Sequence, residues 1–456
     1  MSTFLQTESL VKPIHSIEDL HGYFQMFAKP ASQARVGIEC ELFGVHAETG
    51  EALHYSGLIG IERILDEMAY EFGYEPIQEN DHTIALQKKG TIISLEPGGQ
   101  IELSAEPVES IHQVKAQLDE FLFELKTISH FIKPIAWIAS GIHPFSSLKK
   151  IEWVPKRRYQ IMANYLGRQG KKAHDMMKRT ATNQVNLDYE SEEDAIEKMR
   201  LALAITPIAA AMFANSSISQ GKLNGYVSER LNIWRYTDPG RSGLILSLIC
   251  ESCSFLDYLN YVLDVPMMFL VRERKWIVTR NLTFRKFIEK GYQGIKPTQS
   301  DFELHLSTIF TDARFKQYME IRGMDGQRSH LIPSISAFWK GILYDYEARH
   351  ASTKLLRHFK ESDLKKLHQD VERLGFRAKI RGVRVLDLAR ELVKISEKGL
   401  IRQDLRNSEH CDESIYLAPL KEEVLRSGKT PAEQVAELWD GPMKRDRLAL
   451  IDYLKI

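Results

Sequence analysis

Hydrophobic and polar positions recur at two different periods along this chain, and the changes of period mark its elements. Ile17, Leu20, Tyr23, Phe24 and Phe27 recur at helical spacing and predict a helix over 15–30. A strand is expected over 35–46, then an amphipathic helix over 58–73 closed near Gly73. Two strands follow at 82–88 and 91–96, with Lys89-Gly90 as the hairpin turn, and a third at 99–104. Further on, the pattern predicts a helix at 109–130, a short apolar strand at 135–142, a helix at 156–167 and a strand at 183–189. An Ala-rich helix spans 191–214, and its acidic start, Ser191-Glu192-Glu193-Asp194, complements the helix dipole. Residues 244–263 read as helix, 266–271 with 274–278 as a hairpin, and 301–311 as helix. From 335 onward the chain is charged and helical, with amphipathic helices at 336–349, 361–375, 383–398 and 431–454. Strands separated by helices without strict alternation argue for an α+β fold.

Composition narrows the class. The chain has 456 residues, 43% of them hydrophobic, enough for two or three domains or one large catalytic unit. Sixty-one basic residues balance sixty-one acidic ones, so net charge drives the chain toward neither nucleic acid nor an anionic membrane. Four cysteines are too few for a disulfide scaffold. Cys250-Glu251-Ser252-Cys253 is a CxxC, but no second one exists and its surroundings do not resemble a redox turn. Met1 to Glu8 lacks a basic region before an apolar block, and the longest apolar run, Leu201 to Ala214, is too short for a bilayer. A soluble, reducing, cytoplasmic setting is the expectation. There is no P-loop, no glycine fingerprint after a strand and no nucleophile elbow.

Four constellations carry candidate chemistry. Glu39 and Glu41 lie two apart among Val36, Ile38, Leu42 and Phe43, so both project from one face of a strand. Glu96 and Glu102 flank a Pro97-Gly98-Gly99 turn, where glycines allow close approach of a ligand. Any one of these pairs would also fit a solvated strand face. Together, carboxylates in apolar strands are costly unless paired or metal-bound, and hard divalent cations take oxygen ligands. Gln184, Asn186 and Asp188 share a strand face opposite Val185 and Leu187, either as a wet edge or as ligands for a cation or substrate. Arg158, Arg230 and Arg241 lie near loops and suit carboxylate or phosphate binding, or simply the surface. Glu320 and Arg322, closed by Gly323 and Gly326, fit either a metal–phosphoryl site or a structural ion pair. His143, before Pro144, reads as structural.

In this order, the motifs resemble the plant-type glutamate–cysteine ligases, a family also found in bacteria. The resemblance rests on Ser94-Leu95-Glu96-Pro97-Gly98-Gly99-Gln100 with Glu102-Leu103-Ser104, on Gln184-Val185-Asn186-Leu187-Asp188, on Phe213-Ala214-Asn215-Ser216, on Glu320-Ile321-Arg322-Gly323 with Asp325-Gly326, and on Phe338-Trp339 with Gly341 and Leu343-Tyr344-Asp345. It covers residues 37–346 and continues weakly beyond. It implies a curved antiparallel sheet funnel of the glutamine synthetase type, surrounded by helices. By resemblance, residues 1–345 form the catalytic domain and 346–456 a helical region packed on the same unit. The implied activity is ATP- and Mg²⁺-dependent joining of the L-glutamate γ-carboxylate to the amine of L-cysteine through a γ-glutamyl phosphate, the first step of glutathione synthesis; Mn²⁺ is an alternative ion. The resemblance makes Glu39, Glu41, Glu96, Glu102, Glu320 and Gln184 metal ligands. Arg158 and Arg230 become glutamate-binding residues, Arg322 and Arg241 stabilisers of transferring phosphate, and Trp234 and Asn186 pocket residues.

Departures from the family pattern touch selectivity and regulation. Cys40 stands between the two acids and points to the opposite face. Met268 replaces an aromatic residue common in plant members and is expected to meet the acceptor. Thr279 and Gly294 occupy the stretch of the plant regulatory disulfide, so no switch of that kind is expected. The implied partners are small molecules, with no nucleic acid and no membrane, in a monomer or homodimer. The alternative is a same-scaffold ligase that joins glutamate to a different amine; a catalytically dead relative is disfavoured by the intact acidic segments.

Overall fold

In a computed structural model describing residues 12–249 and 252–456, one strand organises the rest. Val36–His46 (β1) is 11 residues long and is paired along both edges. Around it lie Glu75–Glu79 (β2), His82–Lys88 (β3), Thr91–Leu95 (β4), Ile101–Ser104 (β5), Ile135–Ile138 (β6), Asn183–Leu187 (β7), Ala313–Phe315 (β8) and Met319–Ile321 (β9). They form a nine-stranded antiparallel sheet in the order β8-β9-β7-β1-β5-β4-β3-β2, with β6 on the far end of β1. The sheet is open, and the mixed helix-and-sheet class expected from the sequence is the one observed.

Register gives this sheet two unlike faces, because directly opposed residues project to the same side. Arg314 opposes Glu320, Glu320 opposes Asn186, Gln184 opposes Glu39, Glu41 opposes Glu102, and Glu102 opposes Ser94. On the other side Ile321 opposes Val185, Val185 opposes Ile38, Cys40 opposes Leu103, and Leu103 opposes Ile93. That second face is buried against the helices Ile61–Phe72, Ile111–Phe131 and Ile332–Leu343. Cys40 therefore points away from its acidic neighbours, and burial pushes its thiol up to about 12.

Caps and burial explain the helices. Ser110 and Gln113 close a reciprocal capping box at the start of Ile111–Phe131. In Glu192–Met212, Ser191 accepts from the Asp194 amide, and every residue from Leu201 to Met212 is buried, as an apolar-all-round segment requires. Among the described residues no helix is long and apolar enough to cross a membrane.

Five expected helices differ; the one expected over 301–311 is Gln299–Leu306, and Phe310–Thr311 is a short strand. Over 15–30 there are only the single turns Glu18–Leu20 and Gln25–Phe27, because Phe24 is drawn into an aromatic cluster with Phe255, Tyr258, Phe302 and Phe315. The segment 244–263 holds a short turn, Leu246–Ile249, and a helix, Phe255–Asp264, that starts at the Ser254 capping box. The segment 336–349 breaks where Asp345 accepts from the Ala348 amide at 2.8 Å and starts a second helix, Tyr346–Leu356. The segment 431–454 divides into Pro431–Asp440 and Arg447–Leu454, with Asp446 capping the second. Cys40 and Cys411 carry free thiols and Cys253 is disulfide-bonded; Cys250 and residues 1–8 lie outside the described residues.

The C-terminal helices share the main core: Leu364, Leu367, Val371, Leu392 and Leu400 pack in the same cluster as β1 and β7. A buried ion pair adds a lock. Lys340 Nζ lies 2.7 Å from both oxygens of Glu413, and Glu413 Oε1 also accepts from the Ile111 amide at 2.6 Å. Removing one partner strands a buried charge, at a cost of about 3–5 kcal/mol. Glu413→Ala is therefore expected to lower unfolding stability by about that amount in urea titrations. A loss below about 1 kcal/mol would show that the lock does not hold these parts together.

Candidate active site

The polar face of the sheet floors a cleft of about 890 Å³. One wall is the helix Arg157–Leu166, which contributes Arg158, Tyr159 and Met162. Another is the hairpin Phe269–Arg272 with Lys275–Val278, which contributes Val271 and Trp276 and, from its turn, Arg274. Leu304, Ser307 and Phe310 close the far side.

Glu39, Glu41, Glu96 and Glu102 all line this cleft. Glu39 Oε1 accepts from Asn186 Nδ2 at 3.2 Å, and Glu41 Oε2 from the Thr182 amide at 3.0 Å. Glu102 Oε1 accepts from the Ser94 and Ser104 hydroxyls at 3.0 and 3.1 Å. Glu96 sits on a turn in which its amide donates to Gln100 O and its carbonyl accepts from Gly99, each at 2.9 Å. The glycine beside it serves an internal contact: a Cβ on Gly98 would lie 2.4 Å from the Lys178 carbonyl oxygen. Gln100 anchors the same turn by accepting from the Gly98 amide at 2.9 Å and donating to Thr180 O at 2.7 Å.

Glu41, Glu96 and Glu102 strain one another, whereas Glu39, near Lys316 and Arg322, is held below the usual carboxylate range despite its burial. Burial, then Glu96 and Glu102, push Glu41 well above the usual carboxylate range. Burial and Glu102 raise Glu96 to about 7, and burial and Glu39 raise Glu102. Among the described residues no lysine or arginine forms an ion pair with Glu41, Glu96 or Glu102, and no three acidic, histidine or cysteine side chains stand close enough to form a ready-made metal cage. The donors nevertheless fit a hard divalent cation: they are oxygens, they face one cleft, and their mutual repulsion is what a double positive charge relieves.

Glu320 is in a different state. It is fully buried and flanked by Arg314, by Lys316 Nζ at 2.8 Å and by Arg322 Nη1 at 2.7 Å. Burial opposes its ionisation, yet these three cations together hold its carboxyl well below the usual range. Arg322 also donates to Gln184 Oε1 at 2.5 Å, and Arg314, Lys316, Arg322 and Gln184 all line the cleft. Glu320 itself lies behind them.

Arg158 reaches the cleft from its helix. Its Nη2 donates to Ser307 Oγ at 3.0 Å, its guanidinium lies 5.3 Å from the Phe269 ring centre, and burial lowers it to about 10. Arg230 stands one layer back and donates to the Arg322 carbonyl at 2.9 Å. Its placement comes from a buried knot. Asp325 accepts from the Asn215 amide, the Ser216 hydroxyl and the Ser228 hydroxyl at 2.8, 2.6 and 2.9 Å, and Ser216 Oγ accepts from the Arg230 amide at 3.2 Å. The Phe213–Ser216 and Asp325-Gly326 motifs thus hold the helix Glu229–Arg235.

Six sequence candidates do not line the cleft: Glu320 and Arg230, placed above, Asn186, which donates to Glu39, and Arg241, Met268 and Trp234. Arg241 is fully buried, with its donors taken by Asp238 at 2.7 Å, Tyr165 at 2.9 Å, Pro266 O at 2.6 Å and Thr308 O at 3.2 Å. Its strong internal pairing makes it a brace for these loops. Met268 is 1% exposed and belongs to the apolar core. Trp234 packs on Phe310, ring centres 5.8 Å apart, behind the cleft wall. His143 is structural as expected: its Nδ1 accepts from the Phe145 and Ser146 amides at 3.3 and 3.0 Å, and burial lowers it to about 3.

Sequence reasoning passed over Lys156, Arg314 and Lys316, all of which line the cleft. Arg314 meets Glu320 only through strand pairing, and the two-residue spacing in strands that exposed the acids gives no sign of a lysine four residues from its partner.

Comparison with known proteins agrees over almost the whole chain. The model of glutamate-cysteine ligase family 2 matches residues 35–448. The chain is 37% identical to the chloroplastic glutamate–cysteine ligase of Solanum lycopersicum over 427 residues, 93% of this chain and 80% of that one. It is 38% identical to glutamate–cysteine ligase B of Oryza sativa subsp. japonica over 442 residues, covering 96% and 86%. It is 36% identical to the Arabidopsis thaliana enzyme over 427 residues, 93% of this chain and 80% of that one. Among solved structures, a Francisella tularensis glutamate–cysteine ligase in complex with AMP superposes with a TM-score of 0.58 at 13% identity, covering 92% and 87%, and so shares the fold. The three plant relatives are chloroplastic by name, which overturns the expected cytoplasmic setting.

The strain on Glu96 has a measurable consequence. Its folded value of about 7 exceeds the ordinary 4.5, so between those pH values the folded protein keeps a proton that the unfolded chain has released. The stabilising contribution is complete below about 4.5 and is lost as pH rises through about 7. Glu96→Gln is therefore expected to stabilise the metal-free protein at pH 8 by up to about 3 kcal/mol and to change it little at pH 4. Urea midpoints of the two proteins, compared at both pH values, measure the gap; equal gaps at both would contradict the assigned strain.

Proposed function

The chain belongs to glutamate-cysteine ligase family 2, and from that premise we propose that it joins the γ-carboxylate of L-glutamate to the amine of L-cysteine at the expense of ATP, through a γ-glutamyl phosphate, as the first step of glutathione synthesis. The observation that carries this reading is the divided cleft: strained carboxylates on β1, β5 and the 96–99 turn face the cations Arg314, Lys316 and Arg322 on and beside β8 and β9.

A carboxylate is a poor acyl donor at neutral pH and must be activated by phosphoryl transfer. Glu39, Glu41, Glu96 and Glu102, with Gln184 as a further oxygen donor, would hold divalent ions, Mg²⁺ or Mn²⁺; Glu320, whose oxygens pair with Arg314, Lys316 and Arg322, holds those cations in place instead. When bound, such ions supply charge neutralisation between the nucleotide phosphates and the γ-carboxylate. Arg158 pairs with the glutamate α-carboxylate and fixes which end of the substrate faces the nucleotide; Arg230 backs this clamp through the Arg322 carbonyl. Arg322 offers its planar fork to the transferring phosphoryl group, and Asn186 orients Glu39. The cysteine amine attacks the activated carbonyl, and phosphate leaves. Residues 1–345 act as the catalytic unit, and 346–456 as a helical region that shares its core.

Mass analysis after incubation with ATP, Mg²⁺, L-glutamate and a panel of amines is expected to reveal γ-glutamylcysteine with cysteine as the preferred acceptor. A different preferred amine would favour the sister ligase reading, and no product with any amine would contradict both. In the same assay Arg158→Ala is expected to raise the glutamate KM by about 10-fold or more and the cysteine KM far less, since a hydrogen-bonded charge contributes about 1.5–3 kcal/mol.

A further inference from the structure

Lys156 immediately precedes the helix Arg157–Leu166, and Tyr159 lies in its first turn. Both side chains aim at one atom outside that helix. Lys156 Nζ donates to Leu95 O at 2.8 Å, and the Tyr159 hydroxyl donates to the same oxygen at 2.5 Å. Leu95 ends β4, and the next residue is Glu96. The main chain extends the clasp on the other side, where the Val154 amide donates to Pro97 O at 3.0 Å. Segment 154–159 thus grips the carbonyls both before and after Glu96, while the same helix carries Arg158 into the cleft.

Two features set this apart from ordinary helix anchoring. A carbonyl has two acceptor positions, and here side chains of the neighbouring helix fill both. One of them is an ammonium in a residue only 2% exposed. Burying a charge is costly when a neutral donor would satisfy the same oxygen. Glu96 and Glu102 offset part of that cost, but burial prevails and lowers Lys156 to about 8.

We propose that Lys156 and Tyr159 are positioning residues that fasten the Glu96 turn to the Arg158 helix, so that glutamate binding and divalent-cation binding strengthen one another. This rests on the reading of Arg158 and Glu96 given above. Both line the cleft, and both donate to Leu95 O, so they act through the turn that Leu95 starts. Coupling of this kind is reciprocal: whatever factor glutamate adds to cation affinity, the cation adds to glutamate affinity.

The test is Mn²⁺ binding to the full chain, followed by electron paramagnetic resonance with and without saturating L-glutamate and without turnover. In the wild type, glutamate is expected to tighten Mn²⁺ binding. Lys156→Met keeps the apolar stem and removes the donors; Tyr159→Phe removes one hydroxyl and keeps the ring. Each is expected to weaken Mn²⁺ binding by about 10-fold, the lower end for residues that orient a metal's ligands, and to shrink the glutamate effect to less than about twofold. Tyr159→Phe carries the test alone if Lys156→Met does not fold. Unchanged Mn²⁺ affinity with an unchanged glutamate effect in a folded variant would overturn the proposal, as would a wild type in which glutamate leaves Mn²⁺ affinity unaltered. Because the readout needs no product, failure of the clasp and failure of the ligase reading are separate results.

Discussion

Glu41 and Glu102 stand directly opposite each other on β1 and β5, with Glu96 and Glu39 beside them. Like charges at this cross-strand spacing repel, and burial removes the water that would soften the repulsion. The fold holds this unfavourable arrangement in place with an 11-residue strand paired on both edges. Such strain persists only where surrounding structure over-determines it. Here the opposite face of the same strands is apolar and buried under three helices, so the acids cannot turn away without a slip of register that would expose Ile38, Cys40 and Leu103.

The rest of the molecule serves that constraint from several sides. The Asp325 knot fixes the helix with Arg230, which in turn grips the carbonyl of Arg322. Glu320 gathers three cations on the sheet edge across from the acids, giving the cleft one negative and one positive wall. A nucleotide phosphate chain with its divalent ions has the complementary pattern, positive toward one wall and negative toward the other. Together the two walls make a site that is costly when empty of ligand charge and relieved when filled.

Much of this was legible in the chain. The strands β1, β3, β4, β5 and β7 announce themselves through alternation, and with them came Glu39, Glu41, Glu102 and Gln184 on one face. The Lys89-Gly90 turn, with both residues at positive φ, was equally plain. What local pattern could not carry was pairing between distant segments. Arg314 and Lys316 gain meaning only beside Glu320, and Lys156 only beside Leu95, 61 residues earlier. Arg241 failed in the opposite sense: an arginine near glycines looks available, but tertiary contacts consume its donors. The expected helix over 15–30 gave way for a related reason, since aromatic packing around Phe24 outweighs the local preference for a continuous helix.

The central claim is that carboxylates from separate strands share divalent ions in one cleft. Anomalous diffraction from crystals of the chain grown with Mn²⁺ tests it most directly. The account predicts anomalous density on the polar face of the sheet, bounded by Glu41, Glu102 and Glu96 together. Density confined to surface carboxylates outside the cleft, with none between β1 and β5, would contradict it.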